Sequence, residues 1–363
     1  MEHISLLPGL AEKSTMGRVM KVTIPEELKK DVPTTTWGKV LSATPVVMAV
    51  IATMLAGLAS SEMTRAQYDR ALAAQQQSKA GDQWSFFQAK RLRGAYQRNT
   101  ADLLQAVAEV HELDAAGLRA AAERLTDKGE TSTPRGTEPA KVKIELLALL
   151  DSNAGQEALA RLKKGELPAA GAPASIDPRI KSAIEAVDNL GTDAEIASIL
   201  AGVDNQGLEA AVRAARDQAQ AFDTATKPLN QTIDRFENLL DSLAVCLTQS
   251  HSGTDGLDTL GRSLNRDFTA ARLGLASQRY EVEARLNQAI ANLYELQVRK
   301  SNLSAERHHA RSQRFFFGML AAQLGVIIST FAIAARQRNL LWSLAAVAGL
   351  VAVGFAIYVY LKV

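Results

Sequence analysis

Two uncharged runs close the chain, Phe315 to Ala335 and Leu340 to Leu361, separated only by Arg336, Gln337, Arg338 and Asn339. A third, Val40 to Leu58, lies near the start behind Trp37, Gly38 and Lys39. A helix needs roughly 20 apolar residues to cross a hydrocarbon core of ~30 Å. The pattern therefore predicts transmembrane helices at 39–60, 315–335 and 340–361, the last two forming a hairpin. Pro45 falls in the first turns of the first span, where a missing amide proton costs little. Residues 1–38, with Pro8, Pro25 and Pro33, carry no sustained periodicity and read as a flexible tail. The rival reading is a cleavable leader, since Ala59, Ser60 and Ser61 are small, but a tail of this length is too long for one.

Between the apolar runs the periodicity is helical. An outgoing leg is predicted over 61–126, then a helical head over 127–255 with linkers near 127–139 and 165–178, where Gly and Pro concentrate. Within the head the pattern predicts helices over Ala140 to Lys164, Pro178 to Asn189 and Thr192 to Ala201. Thr192 and Glu195 have capping-box spacing. A longer helix from Gln206 to about Gln249 is predicted to be interrupted near Pro228, with a stripe of Ile233, Phe236, Leu240, Leu243 and Leu247. The returning leg, 256–314, is the most regular: Phe268, Leu275, Val282, Ala289, Leu296, Leu303 and Ala310 recur every seventh residue. Arg279 and Lys300 fall at inward positions of that seam, so a partner there must offer water or carboxylates. The predicted partner is the outgoing leg, because a chain that leaves the bilayer near Ser61 and returns at Arg314 brings its legs together. The fold class is all-α, three transmembrane helices with a long antiparallel, coiled-coil-like stalk and a helical head.

Charge adds sidedness. Lys13, Arg18, Lys21, Lys29, Lys30 and Lys39 precede the first span, and Arg336 and Arg338 lie in the hairpin turn. The positive-inside rule then puts the N terminus and that turn in the cytoplasm and residues 61–314 outside it. A block of Arg299, Lys300, Arg307, Arg311 and Arg314 argues the other way, but long domains translocate largely regardless of charge. The net charge of +2 carries no nucleic-acid footprint.

Candidate chemistry is sparse. No phosphate loop, dinucleotide fingerprint or zinc-protease helix is present, and one cysteine, Cys246, cannot form an intrachain disulfide. Cys246 lies beside its helix's apolar stripe and reads as a small core residue, the alternative being an exposed thiol. Adjacent His308 and His309 diverge by about 100° on a helix and read as facing lipid head groups. His111 and His251 have no ligand-spaced partner. The distinctive cluster is Trp84, Phe87, Gln88 and Arg91 on one helical face, either anchoring the leg to its partner or forming a docking patch of hot-spot composition. In the spans, small residues recur every fourth position: Ala52, Ala56 and Ser60; Ala321, Gly325 and Ser329; Ala348, Ala352 and Ala356. That spacing lets helix backbones approach closely. Gln323 is the one strongly polar residue in a span, and without Asp, Glu, Lys or Arg there an ion pathway has no candidate groups.

Asp82-Gln83-Trp84 followed by Phe87-Gln88-Ala89-Lys90, with one span before it and a C-terminal two-span hairpin, resembles the bacterial membrane proteins of domain-of-unknown-function family 4337. The resemblance covers roughly Lys39 to Tyr96 and Glu306 to Leu361, leaving Leu104 to Leu264 as an expansion. The resemblance implies this topology and a bacterial origin, hence a bacterial cell (inner) membrane, and supplies no catalytic residues. The expected protein is a non-enzymatic scaffold with no cofactor that contacts membrane lipid and self-assembles through its spans and stalk. The alternative is a sensor or accessory subunit whose helical domain binds another membrane-complex protein.

Overall fold

The computed structural model describes residues 36–125, 138–169, 171, 176–250, 255–334 and 338–362. The tail before Thr36, most of the linker near 127–139, His251 and the Arg336–Gln337 turn lie outside the described residues. Among the described residues there are nine helices and no strand: α1 (Thr36–Val107), α2 (Ala115–Glu123), α3 (Pro139–Asp151), α4 (Asn153–Lys164), α5 (Pro178–Asp188), α6 (Asp193–Ala201), α7 (Asn205–Ser250), α8 (Asp255–Ala334) and α9 (Arg338–Lys362). The chain divides into two compact units, Met1–Glu62 with Ala310–Val363, and Met63–His309.

The first unit contains the apolar parts of α1, α8 and α9, three helices long and apolar enough to cross a membrane. Their inward faces are small. Ala52, Ala59, Ala322 and Ala352 pack with Leu55, Phe315 and Val359. Valines, leucines and phenylalanines such as Val50, Leu324, Phe331 and Leu350 point outward. The Met48 thioether occupies the notch left by two glycines: a Cβ on Gly325 would lie 3.4 Å from its Cε, and one on Gly349 would overlap it. Polar ties are few, Ser312 Oγ donating to the Ala59 carbonyl at 2.8 Å and Trp342 Nε1 to Thr44 Oγ1 at 3.1 Å.

In the second unit the leg of α8 is flanked by two antiparallel helices. α1 is tied to it by Lys90–Glu283 at 2.5 Å, by Ser301 Oγ donating to Gln76 Oε1 at 3.0 Å, and by His308 at 4.0 Å from Asp69. The two legs pair as the sequence predicts, but the heptad residues Phe268 and Leu275 are buried against α7 and not against the outgoing leg. α7 is tied to α8 by Arg272–Glu237 at 2.9 Å, Asn265–Asp241 at 2.8 Å and Arg216 on the Tyr294 hydroxyl. One core gathers α2, α3 and α4 onto the later part of α7 and the start of α8, around Leu118, Leu146, Phe236 and Phe268. A second gathers α5 and α6 with Ala80, the start of α7 and the Ile290–Leu296 stretch of α8.

Three expected helices end differently. The outgoing leg stops at Val107 instead of running to 126, because Asp114 caps a new helix: its two carboxylate oxygens accept from Ala116 N at 3.0 Å and Gly117 N at 3.1 Å. Leu113 and Leu118, both buried in the first core, bracket that cap as a hydrophobic staple. The helix expected over Ala140 to Lys164 breaks at Ser152, whose hydroxyl accepts from Gly155 N at 3.0 Å. A Cβ at Gly155 would meet the Leu149 carbonyl oxygen at 1.9 Å, so the turn requires glycine. Conversely, α7 runs for 46 residues through Pro228 without interruption. That proline is exposed, so water can serve the carbonyl it leaves unpaired. Thr192 caps α6 as expected, its hydroxyl accepting from Glu195 N.

Candidate functional site

The outgoing leg meets α8 through side chains that hardly project. Ala66, Ala73, Ala80, Gly94 and Ala101 sit seven residues apart or at multiples of seven, and all are buried. Phe87 occupies the one position in this series that is not small. The alternate seam positions are polar: Asp69, Gln76, Gln83, Lys90 and Gln97. At Gly94 the backbones nearly touch, since a Cβ there would lie 3.3 Å from both the Ser277 carbonyl oxygen and the Tyr280 Cβ. Sequence reading followed the large residues of α8 and missed this alanine heptad, although a repeat of small residues is as periodic as one of leucines.

Of the predicted patch, Trp84 and Phe87 pack edge to face with ring centroids 5.4 Å apart, and the Arg91 guanidinium lies 5.9 Å from the Phe87 ring. Trp84 and Phe87 are half-buried, while Gln88 and Arg91 are exposed. The patch thus has one edge in the α1–α8 seam, where Phe87 stands, and one in solvent. Beside Phe87 opens a cleft of about 420 Å³, lined by Phe87, Arg91, Gly94 and Arg98 from α1 and by Glu281, Ala284 and Arg285 among others from α8. Glu281 takes both Arg98, at 3.5 Å, and Arg285.

A second feature of α1 lies on its outward side. Leu92, Tyr96, Leu103 and Val107 share one helical face and are 71%, 69%, 62% and 73% exposed, with Asn99 among them. The spacing 92, 96, 99, 103 alternates four and three, the seam pattern of a helix that packs on another helix. The stripe continues beyond Arg91, the last residue of the predicted patch, and its four-three spacing is the signal that marks it in the sequence.

Other candidates resolve into packing. Gly325 and Ser329 are buried and Ala321 partly so, against α1 and α9 of the same chain, and the fully buried member of that face is Ala322. The small-residue faces therefore serve packing within one chain. Gln323, in contrast, is exposed on the outward face of its helix. Cys246 is 1% exposed in the first core, and burial pushes its thiol pKa up. His308 turns toward Asp69 in the leg seam instead of lying free for head groups, and the His111 backbone N–H donates to the buried Asp267 carboxylate at 3.1 Å. Arg279 meets a carboxylate of its own helix, Glu283 at 3.5 Å, instead of one offered by the outgoing leg. Lys300 does not look to the outgoing leg: it donates to the Val203 carbonyl at the end of α6, where burial lowers its pKa against the opposing pull of Asp204. Among the described residues no three His, Cys, Asp or Glu side chains converge in a way that suits a metal ion.

Residues 37–144 match the family described as Domain of unknown function (DUF4337). The match takes in the first span, the whole outgoing leg, α2 and the start of α3, and so runs past Leu104 into the interior while leaving the C-terminal hairpin outside it. No curated protein matches, and no solved structure does.

Proposed function

We propose that this chain, whose residues 37–144 match that domain-of-unknown-function family, is a non-enzymatic membrane scaffold that assembles with further copies of itself through the outward face of α1. The observation that carries this reading is the exposed stripe of Leu92, Tyr96, Leu103 and Val107. These four large side chains lie on a helix whose opposite face already has its partner, and an apolar face left in water marks an interaction surface. Asn99 in the middle of the stripe suits a second copy, because one amide amid apolar seam positions fixes register when it meets its own counterpart. Gln323 supports the same occupant: an outward amide in a span is costly in hydrocarbon unless a neighbouring helix bonds it. Assembly is thereby assigned to the stalk face, with Gln323 as an auxiliary contact, and no longer to the small residues of the spans. The cell membrane of a bacterium, an N terminus in the cytoplasm and a helical domain outside it complete the proposal.

The alternative, an accessory subunit that binds a different protein, uses the same stripe, so one experiment separates the two. The full-length protein in lipid nanodiscs or detergent is weighed by mass photometry, beside Leu92→Glu/Leu103→Glu. A wild-type oligomer that falls to monomer in the variant supports self-assembly. A wild-type protein that is monomeric at all concentrations overturns it and leaves the stripe to a different partner.

A further inference from the structure

We propose that the cleft between α1 and α8 beside Phe87 is a binding site for a small organic anion, with a phosphate or carboxylate head and an apolar body. This goes beyond the scaffold reading and does not depend on it. The cleft follows from an irregularity in the alanine heptad. Phe87 stands where the series otherwise has Ala or Gly, and Gly94 and the buried Ala284 leave the space beside its ring unfilled. Its volume of about 420 Å³ falls in the range of small-molecule pockets, ~300–1,000 Å³.

Its charge is unbalanced. Three guanidinium groups, Arg91, Arg98 and Arg285, line it against one carboxylate, Glu281. Glu281 is shared by Arg98 and Arg285. Arg91 has no carboxylate partner among the described residues and lies against the Phe87 ring. An arginine fork is shaped for two oxygens of one carboxylate or phosphate. The Phe87 ring lines the cleft and offers an apolar contact that an inorganic ion would not use. The geometry therefore selects an anion that carries a flat or apolar body, bound by Arg91 and Arg98 and resting on Phe87.

The test uses the full-length protein in nanodiscs, titrated by calorimetry with phenyl phosphate, benzoate and inorganic phosphate. Saturable binding of phenyl phosphate or benzoate is expected, at least about tenfold tighter than inorganic phosphate, and whichever of the two binds better identifies the head group. Removing a charge-assisted contact in Arg91→Gln should weaken it by about ten- to a hundredfold. Arg91 is exposed, so that variant keeps the fold. Ala284→Met, which fills the cleft, should abolish binding, with circular dichroism checking that the helices remain. The proposal is overturned if neither organic anion binds, if inorganic phosphate binds as well as phenyl phosphate, or if Arg91→Gln binds like wild type.

Discussion

Helix α8 is held on two sides by two different kinds of seam. Toward α7 the contacts are large: Leu208, Ala215, Phe222, Leu229, Phe236 and Leu243 recur every seventh residue, with Val212, Thr226, Ile233, Leu240 and Leu247 between, all buried. Toward α1 they are Ala66, Ala73, Ala80, Gly94 and Ala101, with polar residues between. A buried Leu or Phe contributes ~1.5–3 kcal/mol and a methylene ~0.8 kcal/mol. The α7 seam is therefore held by apolar burial, and the α1 seam by close backbone approach and by pairs such as Lys90–Glu283. The outgoing leg, which carries the cleft and the stripe, is therefore expected to separate from α8 at lower cost than α7 does.

The largest test of that contrast is Phe236→Ala. Phe236 is fully buried with its ring 6.2 Å from that of Phe268, so truncation should cost ~3–5 kcal/mol, seen as a lower midpoint of thermal unfolding by circular dichroism. Gly94→Val sharpens the contrast from the other side. A side chain there meets backbone at 3.3 Å, so overpacking should cost ~1–3 kcal/mol and lengthen the distance between spin labels at positions 88 and 285, measured by pulsed electron resonance. An unchanged distance would mean that the seam tolerates bulk after all. Hydrogen exchange gives the comparison directly: amides of 66–101 should exchange faster than those of 208–243, and equal protection would erase the distinction drawn between the seams.

Asp114→Ala, which removes a cap at the point where α1 gives way to α2, should cost ~1 kcal/mol in chemical denaturation. The smallest expected effect is at Lys300. Its pKa is lowered on folding from the ordinary 10.5, so in the window between the folded and unfolded values the unfolded chain holds more protons. Stability then rises with pH through that window, and the penalty is fully present below it. Lys300→Met should flatten the rise in an unfolding series at alkaline pH.

Helix content, the three segments apolar enough to cross a membrane and the pairing of two legs were legible because each depends on periodicity along a single helix. The breaks at Asp114 and Ser152 were legible in principle, as a capped Leu-Asp-x-x-x-Leu and a serine three residues before a glycine, but a continuing apolar pattern masked them. Pro228 misled in the opposite sense, since burial of the face opposite it keeps α7 whole. Three of the four residues of the predicted patch, Trp84, Phe87 and Arg91, do lie together. The cleft was not legible, because Glu281, Ala284 and Arg285 come from a helix some 190 residues away in the chain.

The order of residues alone determined that this protein is helical, apolar at three segments and regular in its returning leg, since hydrophobic spacing is a property of one helix at a time. Which small residues face a partner, where Lys300 places its charge and where a gap remains between the legs were decided only in the tertiary structure. Those outcomes depend on the distance between two backbones, and that distance is set jointly by side chains far apart in the chain.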